Sequence, residues 1–460
     1  MQSDPIVIIG AGIGGLTTAA YLSRAGVRSI LLEKTGFIGG KCSTRWIDGN
    51  LYEVGAIYLG GGVFNCLRDD FGVDSKSLPI RCGIRAGRSM VSFPLGPRTL
   101  WEIMSCGVSI KELTRFMLRS RIMSHLPLLM KYESVGHVFD YLAEKGTIFR
   151  RLLDSLTGLS GASPYSLPSG YLYTRSPIAR YQMLNPMYPV GGNGQVTTLM
   201  AEIARKHCDI RLNTGVNKII LENDRVIGVK TTNGNIRSRT VVSNAGLRTS
   251  VLQLTDRGVW DRKYYEAVRN TKETLKVVNV FLTFEGSFKL PERHAVFLMP
   301  YDVSAEFETL ELGRFPEKSM YILHVPSNVE RSPAKHHRAT LQFYYPRGSV
   351  DDQALTLQVE RIVSDGLDDL FAGLSRAVTS FCVFDPSRYE SEFGFPPNVF
   401  GLLPEPRVER FPIAAPVKGL FFVGDSVGPD GPCVPQAMES GVVCARRILE
   451  MLGQGVVSSR

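Results

Sequence analysis

Ile6-Val7-Ile8-Ile9 is a short, wholly apolar run that ends on glycines. From Gly14 to Ala25 apolar positions recur at helical spacing as far as Gly26, and Ser29-Ile30-Leu31-Leu32-Glu33 is apolar again. The pattern predicts strand, turn, helix and strand, one βαβ unit. Strand signals return at Ile210–Leu212, Val216–Leu221, Val226–Thr231 and Thr240–Ser243, with turn formers at Glu222-Asn223-Asp224 and Asn233-Gly234. Those four runs predict a meander. A third block, Gly419 to Asp425, reads as a strand running into a turn, and Gln436 to Leu452 as a helix.

At 460 residues the chain has room for two or three folded units and a core able to exclude water from a sizeable ligand. The predicted fold is α/β. A discontinuous Rossmann-like domain is assembled from 1–75, 195–255 and 405–460. An inserted α+β substrate domain takes up 76–194 and 256–404, which are richer in aromatics, Met and Pro. With 44% hydrophobic and 21% charged residues, long disorder is excluded. No stretch reaches the ~18–20 uncharged apolar residues of a spanning helix. Ile6 to Leu32 imitates a signal segment, but Asp4 precedes it, a basic n-region is missing and glycines interrupt it, so it reads as mature fold.

The formal charge of +9 suits nucleic acid, an anionic cofactor or an acidic lipid surface, and composition does not choose among them. The eight cysteines form no Cys-x-x-Cys pair and no regular spacing, which points away from zinc and from a disulfide framework and towards a reducing, cytoplasmic setting. Ser109-Ile-Lys-Glu112 fits a capping box, after which Lys111, Arg115 and Arg119 fall on one helical face. Ile110, Leu113 and Met117 fall on another, with Phe116 beside it. A helix near 109–130 is therefore expected, either an ordinary surface helix or one that docks peripherally on an anionic membrane.

Gly10-Ala11-Gly12-Ile13-Gly14-Gly15 follows a strand and opens a helix, the context in which this pattern carries a mechanism. Gly10 permits a tight turn, Gly12 lets a pyrophosphate approach the backbone, and Gly15 allows close helix-to-strand packing. The helix N-terminus offers unpaired N–H groups and partial positive charge. Glu33, eighteen residues past Gly15, is placed to accept from both ribose hydroxyls, which argues against a 2′-phosphate. Gly39-Gly40, followed by Lys41 and Thr44, brings a second backbone approach and a cation to the same phosphates.

These motifs, with Gly424-Asp425, resemble the FAD-binding signature of the flavin amine oxidoreductase superfamily. More narrowly, Tyr188-Pro-Val-Gly-Gly-Asn-Gly194, Val241-Val-Ser-Asn-Ala245 and the stretch from Gly424 through Gly431, Val434-Pro435 and Ser440-Gly441 resemble its phytoene desaturase and carotenoid isomerase branch. The resemblance covers about two fifths of the chain and implies an FAD cofactor. It implies that Glu33 holds the adenosine ribose, that Lys41, where the family commonly has Arg, neighbours the pyrophosphate, and that the Val216 backbone meets adenine. Asp425 would bind ribitol or phosphate, the helix after Val434 would point its positive end at the flavin, and Lys34, Gly55 and Ala56 complete the cofactor set. The chain departs from the family at Gly431-Pro432-Cys433-Val434, where a further glycine is usual; Cys433 is read as a packing cysteine and is not assigned to catalysis.

The resemblance implies hydride transfer at flavin N5 with a long apolar isoprenoid or carotenoid-like substrate, in desaturase, isomerase or saturase form. The alternative is an FAD-dependent amine or protoporphyrinogen oxidase. Apolar walls are expected from Phe116, Met117, Met123, Leu126 and Leu128 to Met130, and from Tyr165, Tyr171, Tyr173, Tyr181 and Tyr188. No catalytic acid or base is assigned, and no His-Glu-x-x-His or other metal motif occurs. The partners expected are an apolar small molecule and a membrane surface contacted peripherally, with no nucleic acid; oligomeric state stays open.

Overall fold

The computed structural model describes residues 4–124, 133–171, 178, 185–330, 336–403, 405–428 and 433–454. Its first sheet is parallel, with strands in the order Cys208–Arg211, Ser29–Leu32, Ile6–Ile9, Val241–Ser243 and Leu420–Phe422. Ile6–Ile9 is buried along its whole length, as a strand covered on both faces must be. Helix Ile13–Arg24 packs over it, Leu16 and Leu22 fully buried, and the closing helix Cys433–Met451 packs on that helix in turn. Each such leucine contributes about 1.5–3 kcal/mol of burial.

The meander is only partly as the pattern predicted. Val216–Glu222, Arg225–Thr231 and Gly234–Arg237 form a three-stranded antiparallel sheet, but Cys208–Arg211 and Val241–Ser243 leave it for the parallel one. Val241-Val242-Ser243 is buried at every position, and a run that short carries no alternation from which pairing partner could be read.

The second large sheet has seven strands, in the order Val378–Phe384, Val277–Glu285, His336–Tyr344, Tyr321–His324, His294–Met299, Arg81–Ala86 and Ser89–Phe93. All its pairings are antiparallel except that between His294–Met299 and Arg81–Ala86. Small sheets stitch the two layers together. Thr44–Ile47 and Asn50–Glu53 form a hairpin over Asp48-Gly49, both at positive φ, the backbone that a two-residue turn between twisted strands requires. Pro186–Pro189 pairs with both Leu59–Gly60 and Ser77–Pro79. Trp260 and Val268 pack into the core shared by the parallel sheet and the antiparallel three-stranded one.

Helix Ile110–Ser124 begins with the expected capping box: Ser109 N–H donates to Glu112 Oε2 at 2.8 Å and Glu112 N–H to Ser109 Oγ at 3.2 Å. Residues 125–130 of the predicted docking segment lie outside the described residues. Among the described residues no helix is long and apolar enough to cross a membrane.

Candidate functional site

In an open parallel sheet, ligands collect at the carboxyl ends of the strands where the strand order reverses. Here the first strand leads to Gly10, the second to Glu33, Val241–Ser243 to Asn244, and the last to Gly424-Asp425. All of these line one cavity of about 1380 Å³, larger than the roughly 300–1,000 Å³ of an ordinary small-molecule pocket. Two helix N-termini open onto it, at Gly12-Ile13-Gly14 and at Cys433-Val434. They direct unpaired N–H groups and partial positive charge at whatever occupies it.

Of the seventeen residues expected at the cofactor, Gly10, Gly12, Ile13, Gly14, Glu33, Lys34, Gly39, Gly40, Lys41, Gly55, Ala56, Val216, Gly424, Asp425 and Val434 line this cavity. Ala11 and Gly15 stand just behind it. The Ala11 N–H donates to Glu33 Oε2 at 2.8 Å, and Thr35 donates to Oε1 through both its N–H and its hydroxyl at 2.9 Å, so the Glu33 carboxylate is held in place. Gly10 has φ +91°, a left-handed backbone, and a Cβ on Gly15 would fall 2.2 Å from the Gly10 carbonyl oxygen. The loop can cross the helix only without side chains, and the cradle left open between two helix N-termini fits a dinucleotide pyrophosphate.

The gap at Gly12 has a further tenant. A Cβ there would lie 2.5 Å from Asn244 Nδ2, and one on Gly14 would lie 2.9 Å from Asn244 Oδ1. The Asn244 amide fits between the first glycine loop and Gly424, and it lines the cavity. Sequence reasoning noticed Asn244 only as part of a family motif.

Lys41 is engaged by protein groups. Its Nζ donates to Asp425 Oδ2 at 2.7 Å and to Asn398 Oδ1 at 2.5 Å. Burial alone would raise the Asp425 carboxyl, but the Lys41 ammonium, with help from the Ser426 hydroxyl and Arg410, holds it below the usual carboxylate range. Asn398 was not expected at the site.

Glu53 was missed as well. It is 1% exposed and lies beside the cavity rather than in it. Its Oε1 accepts from the Tyr188 hydroxyl at 2.8 Å and from Asn193 N–H at 2.9 Å, and the Thr44 hydroxyl donates to both oxygens. Asn193 Nδ2 in turn donates to the Ala56 carbonyl at 2.6 Å, and Gln342 Nε2 to that of Gly55 at 3.3 Å. The junction thus fixes the cavity-lining Gly55-Ala56 between the two layers. Burial pushes the Glu53 carboxyl up to about 7 in spite of these donors.

Beyond Asp425 the cavity is walled by Tyr58, Leu156, Leu159, Met320, Ile322 and Tyr344, with Phe93 and Leu95 at one side. This corrects the expected wall. Phe116 packs edge-on against Phe149, Met117 faces solvent, Tyr165 binds Arg150 and Asp140, and Tyr188 binds Glu53, so none of them reaches the cavity. The Met123 and Tyr171 side chains, Tyr173, Tyr181, Leu126 and 128–130 lie outside the described residues. Among the described residues no group of three His, Cys, Asp or Glu could hold a metal.

The model of flavin containing amine oxidoreductases matches residues 13–449. The chain belongs to that family. It is an FAD-dependent oxidoreductase with a Rossmann-like cofactor fold. It is 24% identical to a phytoene desaturase from Neurospora crassa, over 96% of this chain and 84% of that one. It is also 24% identical to a prolycopene isomerase from an Oncidium hybrid, over 97% and 84%. Among solved structures, an oxidoreductase from Methanosarcina mazei superposes with a TM-score of 0.70 at 17% identity, over 95% of this chain and 99% of that one. The phytoene desaturase-like resemblance thus rests on the sequence relatives, and the solved structure shares the fold.

Proposed function

We propose that the enzyme reworks the double bonds of a long apolar polyene, by desaturation, isomerisation or saturation. FAD, when bound, supplies the hydride chemistry. The observation that carries the reading is the continuity of the cavity: the glycine cradle and Asp425 lead without a break into the apolar wall from Tyr58 to Tyr344. That wall binds by excluding water and leaves a hydrocarbon chain free of polar competition. The desaturase and isomerase relatives support the same substrate class.

Two of the carboxylates that line the cavity weigh against an amine. Glu273 pairs with Arg248 at 2.9 Å and Asp425 with Lys41 at 2.7 Å, so each already has its cation. An ammonium substrate would have to displace one of them, or pair with Glu33 inside the cofactor cradle or with the exposed Glu390. Anaerobic titration of the bound flavin tests the reading: polyenes in liposomes should bleach the oxidised flavin if they are desaturated, restore the colour of the reduced flavin if they are saturated, or change double-bond geometry over the reduced flavin if they are isomerised, and amines should do none of these. Bleaching by amines alone would overturn the proposal.

A further inference from the structure

Large apolar side chains exposed to solvent are not spread evenly over this molecule. Among the described residues nineteen stand exposed, and eight of them fall between positions 95 and 122. Leu95 precedes helix Thr99–Ser105, and Leu100, Trp101 and Met104 lie on it, Trp101 at 72% exposure. Ile110, Met117, Leu118 and Ile122 follow on helix Ile110–Ser124, Met117 at 70%. Both helices put their other faces on one core: Ile103, Cys106, Val108, Leu113 and Phe116 all pack into the cluster that contains Tyr58, Met320 and Tyr344. The exposed side chains therefore point away from that shared core, and together they make the apolar ridge of this segment.

The charges on this segment are arranged to match. Residues 93–122 hold five cations and two carboxylates. Both carboxylates are engaged locally, Glu102 by the Ser92 N–H at 2.8 Å and Glu112 by Ser109. Arg115 and Arg119, expected on a free basic stripe, are instead turned to the neighbouring helix. Arg115 pairs with Glu144 at 3.7 Å, and Arg119 donates to the Tyr141 carbonyl at 2.6 Å and lies over its ring. What faces outward is apolar, bordered by the exposed cations Arg98 and Lys111. An apolar ridge with an aromatic anchor, fringed by cations and without free carboxylates, is complementary to the interface of an anionic bilayer and to little else in water.

The cavity ends at this ridge. Leu95 is 62% exposed and also lines the cavity, so it sits at a mouth, with Phe93 just inside. We infer that residues 95–122 dock the enzyme peripherally on an anionic lipid surface, with the cavity mouth at Leu95 opening onto the bilayer. The inference rests on the ridge and the mouth, independently of which apolar compound is the substrate.

Flotation of the FAD-loaded full chain with phosphatidylcholine vesicles, with and without phosphatidylglycerol, tests it. Wild type should float, more strongly with the anionic lipid. A Trp101→Ser/Met117→Ser/Ile122→Ser variant should lose about tenfold or more in partitioning while keeping its flavin and its melting temperature. A control variant, Leu357→Ser/Phe381→Ser, removes exposed apolar side chains elsewhere and should float as wild type does. The inference fails if wild type does not float, if the ridge variant floats equally, or if the control falls as far. Lipid-free sedimentation completes the test: a dimer that the ridge variant dissolves, with no flotation by wild type, would assign the ridge to a second copy of the chain.

Discussion

The Lys41 ammonium lies 2.7 Å from Asp425 Oδ2, joining the second glycine loop to the end of the last strand of the parallel sheet. These groups are 384 positions apart in the chain, and Asn398, bridged to Lys276 just before strand Val277–Glu285, shares the same ammonium. One cation thus ties together three segments that meet only at the cavity.

Removing that cation should be felt first as acid sensitivity. With its folded carboxyl held below the ordinary value, Asp425 binds fewer protons in the folded chain than in the unfolded one. The stability it contributes is present at neutral pH and lost as pH falls through the lowered folded value. Lys41→Met leaves burial opposed only by Ser426 and Arg410 and raises that carboxyl. Denaturant melts should show a loss of about 2 kcal/mol near pH 7 and an acid transition starting at higher pH than in wild type. Unchanged acid behaviour would mean that the pair carries no energy.

Glu53 has the opposite sign. Its folded carboxyl is pushed up to about 7, so between its ordinary unfolded value and 7 the folded chain holds a proton that the unfolded chain has released. Stability then falls as pH rises through that window, by up to about 3 kcal/mol from this group alone. Glu53→Gln keeps an acceptor for Tyr188 and Asn193 and removes the titration, so its stability from pH 5 to 8 should be flatter than that of wild type. Glu53→Ala should cost about 2–4 kcal/mol, because it strands those donors in a buried site. Equal pH slopes for wild type and Glu53→Gln would sink the assignment.

How far the site could be read ahead of the structure follows from chain distance. Ile6 to Glu33 forms its strands, helix and glycine turn within one short segment, so spacing alone located the cradle and the Glu33 carboxylate. The pairing of Lys41 with Asp425 and Asn398 exists only once the layers meet, and no local pattern announces it. Glu53 did leave a trace, a lone carboxylate in the apolar run Leu51-Tyr52-Glu53-Val54, but such a residue reads equally well as the solvent face of a strand. The wall was misplaced because apolar residues at 116–130 and a cluster of tyrosines look the same whether they face a core, a cavity or the outside. On helix Ile110–Ser124 the predicted apolar face divides, Leu113 and Phe116 turning inward and Ile110 and Met117 outward.

Leu156 separates cofactor binding from substrate binding. It lies on the apolar wall, within the core cluster of the seven-stranded layer and away from the glycine cradle. Leu156→Arg places a guanidinium where a hydrocarbon chain would lie, and no carboxylate among the wall residues named above can neutralise it. The purified variant should remain yellow with unchanged flavin content, while kcat/KM for a polyene drops about 100-fold or more. Equal activity would show that the substrate takes another route to the flavin.

Cys433 decides whether the flavin is held by a covalent bond. The residue opens the closing helix at φ +49°, a backbone that side chains avoid, and it lines the cavity close to Lys41 and Asp425. Burial pushes its thiol up to about 12 even though the Lys41 ammonium opposes the shift. At pH 8 the thiolate, which is the nucleophilic form, is then present at a fraction on the order of one in ten thousand. The thiol should therefore be inert. Acid precipitation of the wild type should release all of its flavin to the supernatant, and Cys433→Ser should bind flavin as wild type does. Native Cys433 should also resist iodoacetamide at pH 8, as read by peptide mass analysis, and become alkylated only on unfolding. Flavin that stays with the precipitate in wild type but not in Cys433→Ser would show instead that the thiol forms a bond to the ring.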